Sequence, residues 1–168
     1  MQNTLRVLGV DPGFAITGLG VVDYGMGKVV HVHHSIISTA AGLEFPERLR
    51  IIRDGVKKAI DEFSPSAACV EKLFFQSNVS TAIQVGMARG VILLMLADAG
   101  LPIVELTPNE IKEAVAGYGS ADKRQIQIMV QKQLNLKSIP KPDDAADALA
   151  IAMAGAFVHQ NKIRLKNG

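Results

Sequence analysis

The sequence predicts an α/β fold: one five-stranded mixed sheet, an antiparallel three-strand meander plus two parallel strands, flanked by helices. Three observations carry that prediction. Three strand-like runs stand close together near the front of the chain, joined by glycine-bearing turns. Behind them helix-period and strand-period segments alternate, so the later strands follow crossovers and lie parallel to a neighbour. The 168 residues, 48% hydrophobic and 20% charged, suit one globular domain with a sizeable core.

RVLGVD (6–11) reads as a buried strand and ITGLGVVDY (16–24) as a second, after a Gly-bearing turn. KVVHVHHSII (28–37) is a third, with the partial alternation of a half-exposed strand, and Gly25 and Gly27 punctuate the hairpin before it. Across 46–63 the period changes: Leu49, Ile52, Val56, Ala59, Ile60 and Phe63 line one helical face. SPSAACVEK (64–72) then holds a short buried strand ending at Glu71. Ser77 could cap a long apolar helix reaching 99, on which Gly86 and Gly90 stand one turn apart. Gly100 ends it and LPIVEL (101–106) is the fifth strand. Thr107-Pro108-Asn109-Glu110 has the form of a capping box with proline at the first helical position. Ser120 is expected to cap a helix over 121–134, and the last helix runs over 143–159. One domain is thus expected over 1–159, with a basic, frayed tail at 160–168.

Composition narrows the function classes. The single cysteine, Cys69, allows no disulfide framework and suits a reducing compartment. The opening MQNTLRVLGVD has no signal-peptide pattern, and the apolar run at 91–97 is too short to span a bilayer. A soluble, cytoplasmic protein without membrane partners is expected. The net charge is only +2; Lys112, Lys123, Arg124, Lys132, Lys137 and Lys141 form a basic flank that could track phosphates, although charge alone favours a solvated helix face.

Two strands end in an acid: Asp11 after LGV and Glu71 after ACV. Functional sites of open α/β sheets form beyond the carboxyl ends of strands, so parallel neighbours would place these acids side by side. PDDAADALAIA (142–152) adds Asp144 and Asp147, three apart on one helical face, while Asp143 and Asp147, four apart, leave Asp143 possible. Each acid has a plain structural explanation. Asp11-Pro12-Gly13 is ordinary turn chemistry, and Asp143 and Asp144 suit the positive end of a helix dipole. Asp147 fits worst, a full turn inside an otherwise Ala/Leu/Ile helix. Taken together, gathered carboxylates would hold protons unless cations neutralise them, and hard oxygen donors select Mg²⁺, with Mn²⁺ a substitute. A pair of such ions about 3.5–4 Å apart can activate water and stabilise the leaving oxygen of a phosphodiester.

The segments DPGFAITGLGVV, VEKLFF, GMARGV, GYGSADK and DDAADALAIA resemble, in order, the signature blocks of the RuvC family of Holliday-junction resolvases. The resemblance covers nearly the whole chain apart from the tail. It implies an RNase H-like fold, a homodimer, dependence on two Mg²⁺ per active site, and paired symmetrical nicks in like-oriented strands of a four-way junction. It also implies cooperation with a branch-migration helicase in recombination and repair. The family's catalytic, metal-holding acids fall on Asp11, Glu71, Asp144 and Asp147, its D-A-A-D spacing choosing Asp144 over Asp143. Setting four of the 16 acids aside leaves 18 Lys+Arg against 12, or +6, a basic protein around an acidic centre. By resemblance Lys112 and Lys123 lie near the scissile phosphate or DNA backbone and Phe74 stacks on opened bases, with Asn78 and Arg89 as further DNA contacts. GYGSADKR (117–124), with its glycines and a helix start, is a plausible phosphate seat. The small face at Gly86 and Gly90 suits either a dimer contact or packing on the protein's own sheet, and His31, His33 and His34 are read as an exposed strand face. Three rivals remain: a relative that cuts RNA or RNA–DNA hybrids; an actin-like or sugar-kinase-like ATP-binding protein, since DPGFAITGLG also resembles a phosphate-binding hairpin; and a non-catalytic junction-binding module, against which four intact acids argue. The second normally needs two such domains.

Overall fold

A computed structural model describes residues 4–72 and 79–167, with side chains left aside at 79–80 and 161–167. It contains the expected sheet. β1 (Leu5–Asp11), β2 (Ile16–Gly25) and β3 (Lys28–Ser38) form an antiparallel meander. β4 (Ala67–Glu71) runs parallel to β1, and β5 (Ile103–Leu106) runs parallel to β4, for the order β3-β2-β1-β4-β5.

Period-two alternation divides the strand side chains between two cores. Leu8, Val10, Leu19, Val21, Ala68 and Val70 pack against α1 (Phe45–Phe63) and α2 (Val79–Asp98). Val7, Val22, Ala67, Cys69, Val104 and Leu106 face α3 (Pro108–Ala116), α4 (Lys123–Gln133) and α5 (Asp143–Asn167). The same phase decides where the acids lie. Asp11 continues the series Val7–Gly9, and Glu71 continues Ala67–Cys69, so both acids belong to the α5 side of the sheet.

α5 lies on the sheet's main chain. A Cβ on Gly9 would overlap Ala148 O and Ala152 N, one on Gly18 would overlap Asp144 O, and one on Gly20 would stand 2.6 Å from Leu149 N. Gly9 pairs with Gly20 and Gly18 with Asp11 across β1–β2, so three glycines make one bare floor. The helix answers with Ala145, Ala148 and Ala152, all buried. The glycines of the first signature segment are therefore contact residues as much as turn formers.

Several local expectations need correction. α4 is capped by Asp122, not Ser120: the Asp122 carboxylate accepts from Gln125 N, and the Gln125 side chain accepts from Asp122 N. This reciprocal pair starts the helix at Lys123, two residues later than expected. The Asp122 carboxylate thereby takes Gln125 N, one of the helix-start donors that the phosphate seat read into 117–124 would use. α5 continues past 159 to Asn167, because loss of an apolar face ends packing without ending a run of good helix formers. In β3 a bulge opposite Val21/Val22 breaks the alternation. It brings His31 Nε2 within 2.8 Å of His34 Nδ1, while His33 stacks on Phe63 with centroids 4.6 Å apart. The Thr107 cap is as expected, with Glu110 completing a capping box.

α2 buries Ala88, Ile92 and Leu96 yet exposes an apolar stripe: Ile83 is 59% exposed, Met87 49% and Leu94 60%. Gly90 falls in the same stripe and faces open space, so packing on the protein's own sheet is not what this glycine serves. The stretch Thr81–Asp98, of mean hydropathy 1.4, is long and apolar enough to cross a membrane by length and composition alone. Arg89, at its middle, is ion-paired with Glu105 of β5, which ties the helix to the sheet.

Candidate active site

Asp11 and Glu71 meet because their strands end together. The β1–β4 register pairs Val10 with Val70, so the next step of the ladder sets Asp11 beside Glu71. Asp147 descends on the second turn of α5, held down by the glycine floor. Asp11, Glu71 and Asp147 line one cleft of about 210 Å³ with Lys112 and Lys123. Asp144 does not line this cleft: its charge is felt at Asp11, and its side chain lines a separate groove with Gly13.

The electrostatics are those of crowded anions. Burial, then the charges of Glu71, Asp147 and Asp144, push the Asp11 carboxyl up to about 7. Glu71 is raised as well, first by burial and then by Asp147, against the lowering pull of Lys112 and Lys123. Lys123 supplies the nearest cation: its Nζ donates to Asp147 Oδ2 at 2.9 Å and lies 3.9 Å from Asp143. That bond to Asp147 holds the Lys123 ammonium above its usual range. Asp143 is drawn outward instead. It accepts from Lys141 at 2.8 Å, which lowers its carboxyl, and it is absent from the charges felt at Asp11.

The donor set is oxygen only, four carboxylates of which two are raised by burial and mutual repulsion, a composition that fits hard divalent cations. Among the described residues no three such side chains are drawn tightly enough around one point to grip an ion unaided. Lys112 and Lys123 contribute positive charge that relieves part of this repulsion.

The family model for "Crossover junction endodeoxyribonuclease RuvC" matches residues 7–155. The chain belongs to the RuvC family. A Thermotoga maritima RuvC is 49% identical over 93% of this chain and 93% of its own length. A Chloroflexus aggregans RuvC is 51% identical over 91% and 93%. The structure of Thermus thermophilus RuvC in complex with Holliday junction substrate superposes with a TM-score of 0.89, at 36% identity, covering 94% of this chain and 96% of that one. The RNase H-like fold expected from the resemblance is the RuvC fold, and the chain is a nuclease of that family.

Lys112 of α3 and Lys123 of α4, expected to lie near the DNA, both line the cleft. Phe74, Ser77 and Asn78 lie outside the described residues. Arg89 is differently employed from a free DNA contact. Its Nη2 pairs with Glu105 Oε2, its Nε donates to the Glu71 backbone carbonyl at 3.2 Å, and its side chain is 17% exposed. It braces the strand end that carries Glu71, a role the sequence signals only through a lone arginine in an apolar helix. Arg89→Ala should therefore slow nicking roughly 10- to 100-fold through displaced chemistry, with junction affinity unchanged, and Glu105→Gln should act in the same direction. Parallel cleavage and gel-shift titrations decide. An Arg89→Ala loss in affinity with no such loss in Glu105→Gln would make Arg89 a DNA ligand.

Proposed function

We propose that the chain resolves four-way DNA junctions in recombination and repair, as a cytoplasmic homodimer that nicks two like-oriented strands symmetrically. One observation carries the reading: acids from β1, β4 and α5 share a single lysine-rimmed cleft in which Asp11 is pushed up to about 7. Bound there, Mg²⁺ (two ions per site, with Mn²⁺ as substitute) would supply activated water and charge stabilisation for phosphodiester hydrolysis, leaving a 3′-hydroxyl and a 5′-phosphate. Asp11, Glu71, Asp144 and Asp147 would hold the cations. Lys112 and Lys123 draw the phosphate in and oppose the charge that grows on its oxygens. Lys123, which donates to Asp147 here, would be free to turn to the phosphate if that carboxylate held a cation. The test is Mg²⁺-dependent cleavage of a synthetic mobile junction mapped at nucleotide resolution, beside an RNA–DNA hybrid duplex. Paired nicks at symmetry-related positions are expected. Preferential cleavage of the hybrid would overturn the junction assignment.

The α2 stripe is where the second copy belongs. Ile83, Met87, Gly90 and Leu94 follow the 4-3-4 spacing of a helix–helix seam, and the open space at Gly90 lets a partner's main chain approach closely. A two-fold axis there would give two equivalent clefts for a two-fold symmetric substrate. Leu94→Asp should convert the dimer to an 18.0 kDa monomer in sedimentation experiments. Because Leu94 is already 60% exposed in one protomer, folding stability should change by no more than about 0.5 kcal/mol. A wild-type chain that sediments as a monomer would exclude this interface.

A further inference from the structure

A groove of about 420 Å³ opens on the far side of Asp144. Its walls are the Gly13–Phe14 turn that follows Asp11, Arg48 of α1, Gln84 and Val85 of α2, and Asp144 itself. The turn that follows Asp11, and Asp144, whose charge is felt at Asp11, set it beside the catalytic acids, and Gln84 and Val85 belong to the helix of the apolar stripe. Its size is within the range of sites that take a small organic ligand, enough for one nucleotide.

Arg48 is the feature that calls for an occupant. Its guanidinium lies 3.8 Å over the centroid of Phe14, whose ring stacks on Phe45 at 4.9 Å. Its Nε donates to Thr39 Oγ1 at 2.8 Å, and that hydroxyl in turn donates to Phe14 O at 2.7 Å. The ring and the threonine fix the head group while engaging only its face and Nε. Arg50 and Arg53, on the same helix, lie beside Glu47 and Asp54, whereas Arg48 has no acid partner among the described residues. A rigid guanidinium fork with its Nη groups uncommitted matches a phosphate bidentately and loses little entropy on binding it.

We propose that this groove seats the nucleotide adjoining the scissile one in the cleaved strand, with the Arg48 guanidinium on its phosphate. The inference rests on the junction-cleaving reading above. It adds a second phosphate anchor that sets which linkage of the strand stands over the acids, and the sugar and base lie against the Phe14–Val85 side. An anchor of this kind converts DNA binding into register: a strand displaced by one linkage loses the Arg48 contact while keeping its general attraction to Lys112 and Lys123.

The test is junction affinity without cleavage, in Ca²⁺, using Arg48→Met and Gln84→Glu in the full-length protein. Each variant should weaken binding about tenfold, and Arg48→Met should lower the slope of log K against log salt by about one. A junction carrying a neutral methylphosphonate at the linkage next to the scissile one should bind wild type about tenfold more weakly and Arg48→Met no more weakly than an unmodified junction. Arg48→Met also loses the Thr39 bond, so Gln84→Glu, on an exposed position of the opposite wall, carries the test if the first variant misfolds. Unchanged affinity and salt slope in folded variants, with wild type nicking normally, would overturn the groove proposal alone. Failure of wild type to bind or nick the junction would instead overturn the reading on which it rests.

Discussion

Asp11→Asn should abolish nicking and, at the same time, make the metal-free protein more stable. The first effect comes from the cleft: an amide cannot neutralise a divalent cation, and loss of one of the four carboxylates proposed to hold the metal should reduce the rate at least ~10³-fold, with junction binding retained. The second comes from burial. Asp11 titrates at about 7 in the fold against an ordinary 3.8. Between those values the folded state binds the extra proton, so stability falls as pH rises from about 4 to about 7 and stays level above. At pH 8 in a chelator the buried charge costs up to about 4 kcal/mol, which Asn removes, raising Tm on the order of 5–10 °C. In Mg²⁺ the cation competes with the proton, so wild-type nicking should rise with pH through a midpoint below 7. Calorimetry in chelator and a pH series of cleavage rates check both halves. Strong residual cleavage by a clean Asp11→Asn preparation would refute the assignment, and an unchanged Tm would show that Asp11 is not held against its charge.

Gly9→Ala, a single added methyl far from any substrate, should be as damaging as loss of an acid. The new carbon would overlap Ala148 O and Ala152 N and stand 2.7 Å from Ala152 Cα, all main-chain atoms of α5. No rotamer change relieves such a contact, so α5 must lift or β1 must bend. Overpacking of this kind costs about 3 kcal/mol or more when the obstacle is backbone. Whatever folds would carry Asp144 and Asp147 away from Asp11 and Glu71. Chemical denaturation should show the lost stability, and the folded fraction should require markedly more Mg²⁺ for half-maximal nicking. A variant with wild-type stability and metal response would show that α5 does not rest on β1.

Much of this architecture was legible in the sequence, for identifiable reasons. The strands of the meander declared themselves by apolar runs and Gly-bearing turns, and α1 by its clean apolar face. The gathering of Asp11 and Glu71 at one sheet edge follows from strands that end in acids, and Asp147 stood out because nothing structural required it. What escaped notice lies in contacts between segments. Gly18 and Gly20, two apart on one strand face, and the alternating alanines of α5 are matching signals of close helix–sheet packing, but each is ordinary alone. Asp122 with Gln125 three residues on was as good a capping signal as Ser120, and local sequence could not rank them. The β3 bulge has no marker residue, so the meeting of His31 with His34 has no signal in the sequence. Arg89 reads as a DNA contact until Glu105 and the Glu71 carbonyl are seen beside it.

The bare glycine floor has a broader consequence. Where side chains separate two elements, their spacing drifts as methyl groups are gained and lost over evolutionary time. Here main chain rests on main chain, so the gap between the sheet's lip and the two helical acids is set by contact between backbones and not by side-chain size. The surrounding apolar residues are thereby free to vary, since none of them sets the ångström-scale tolerance that hydrolysis demands.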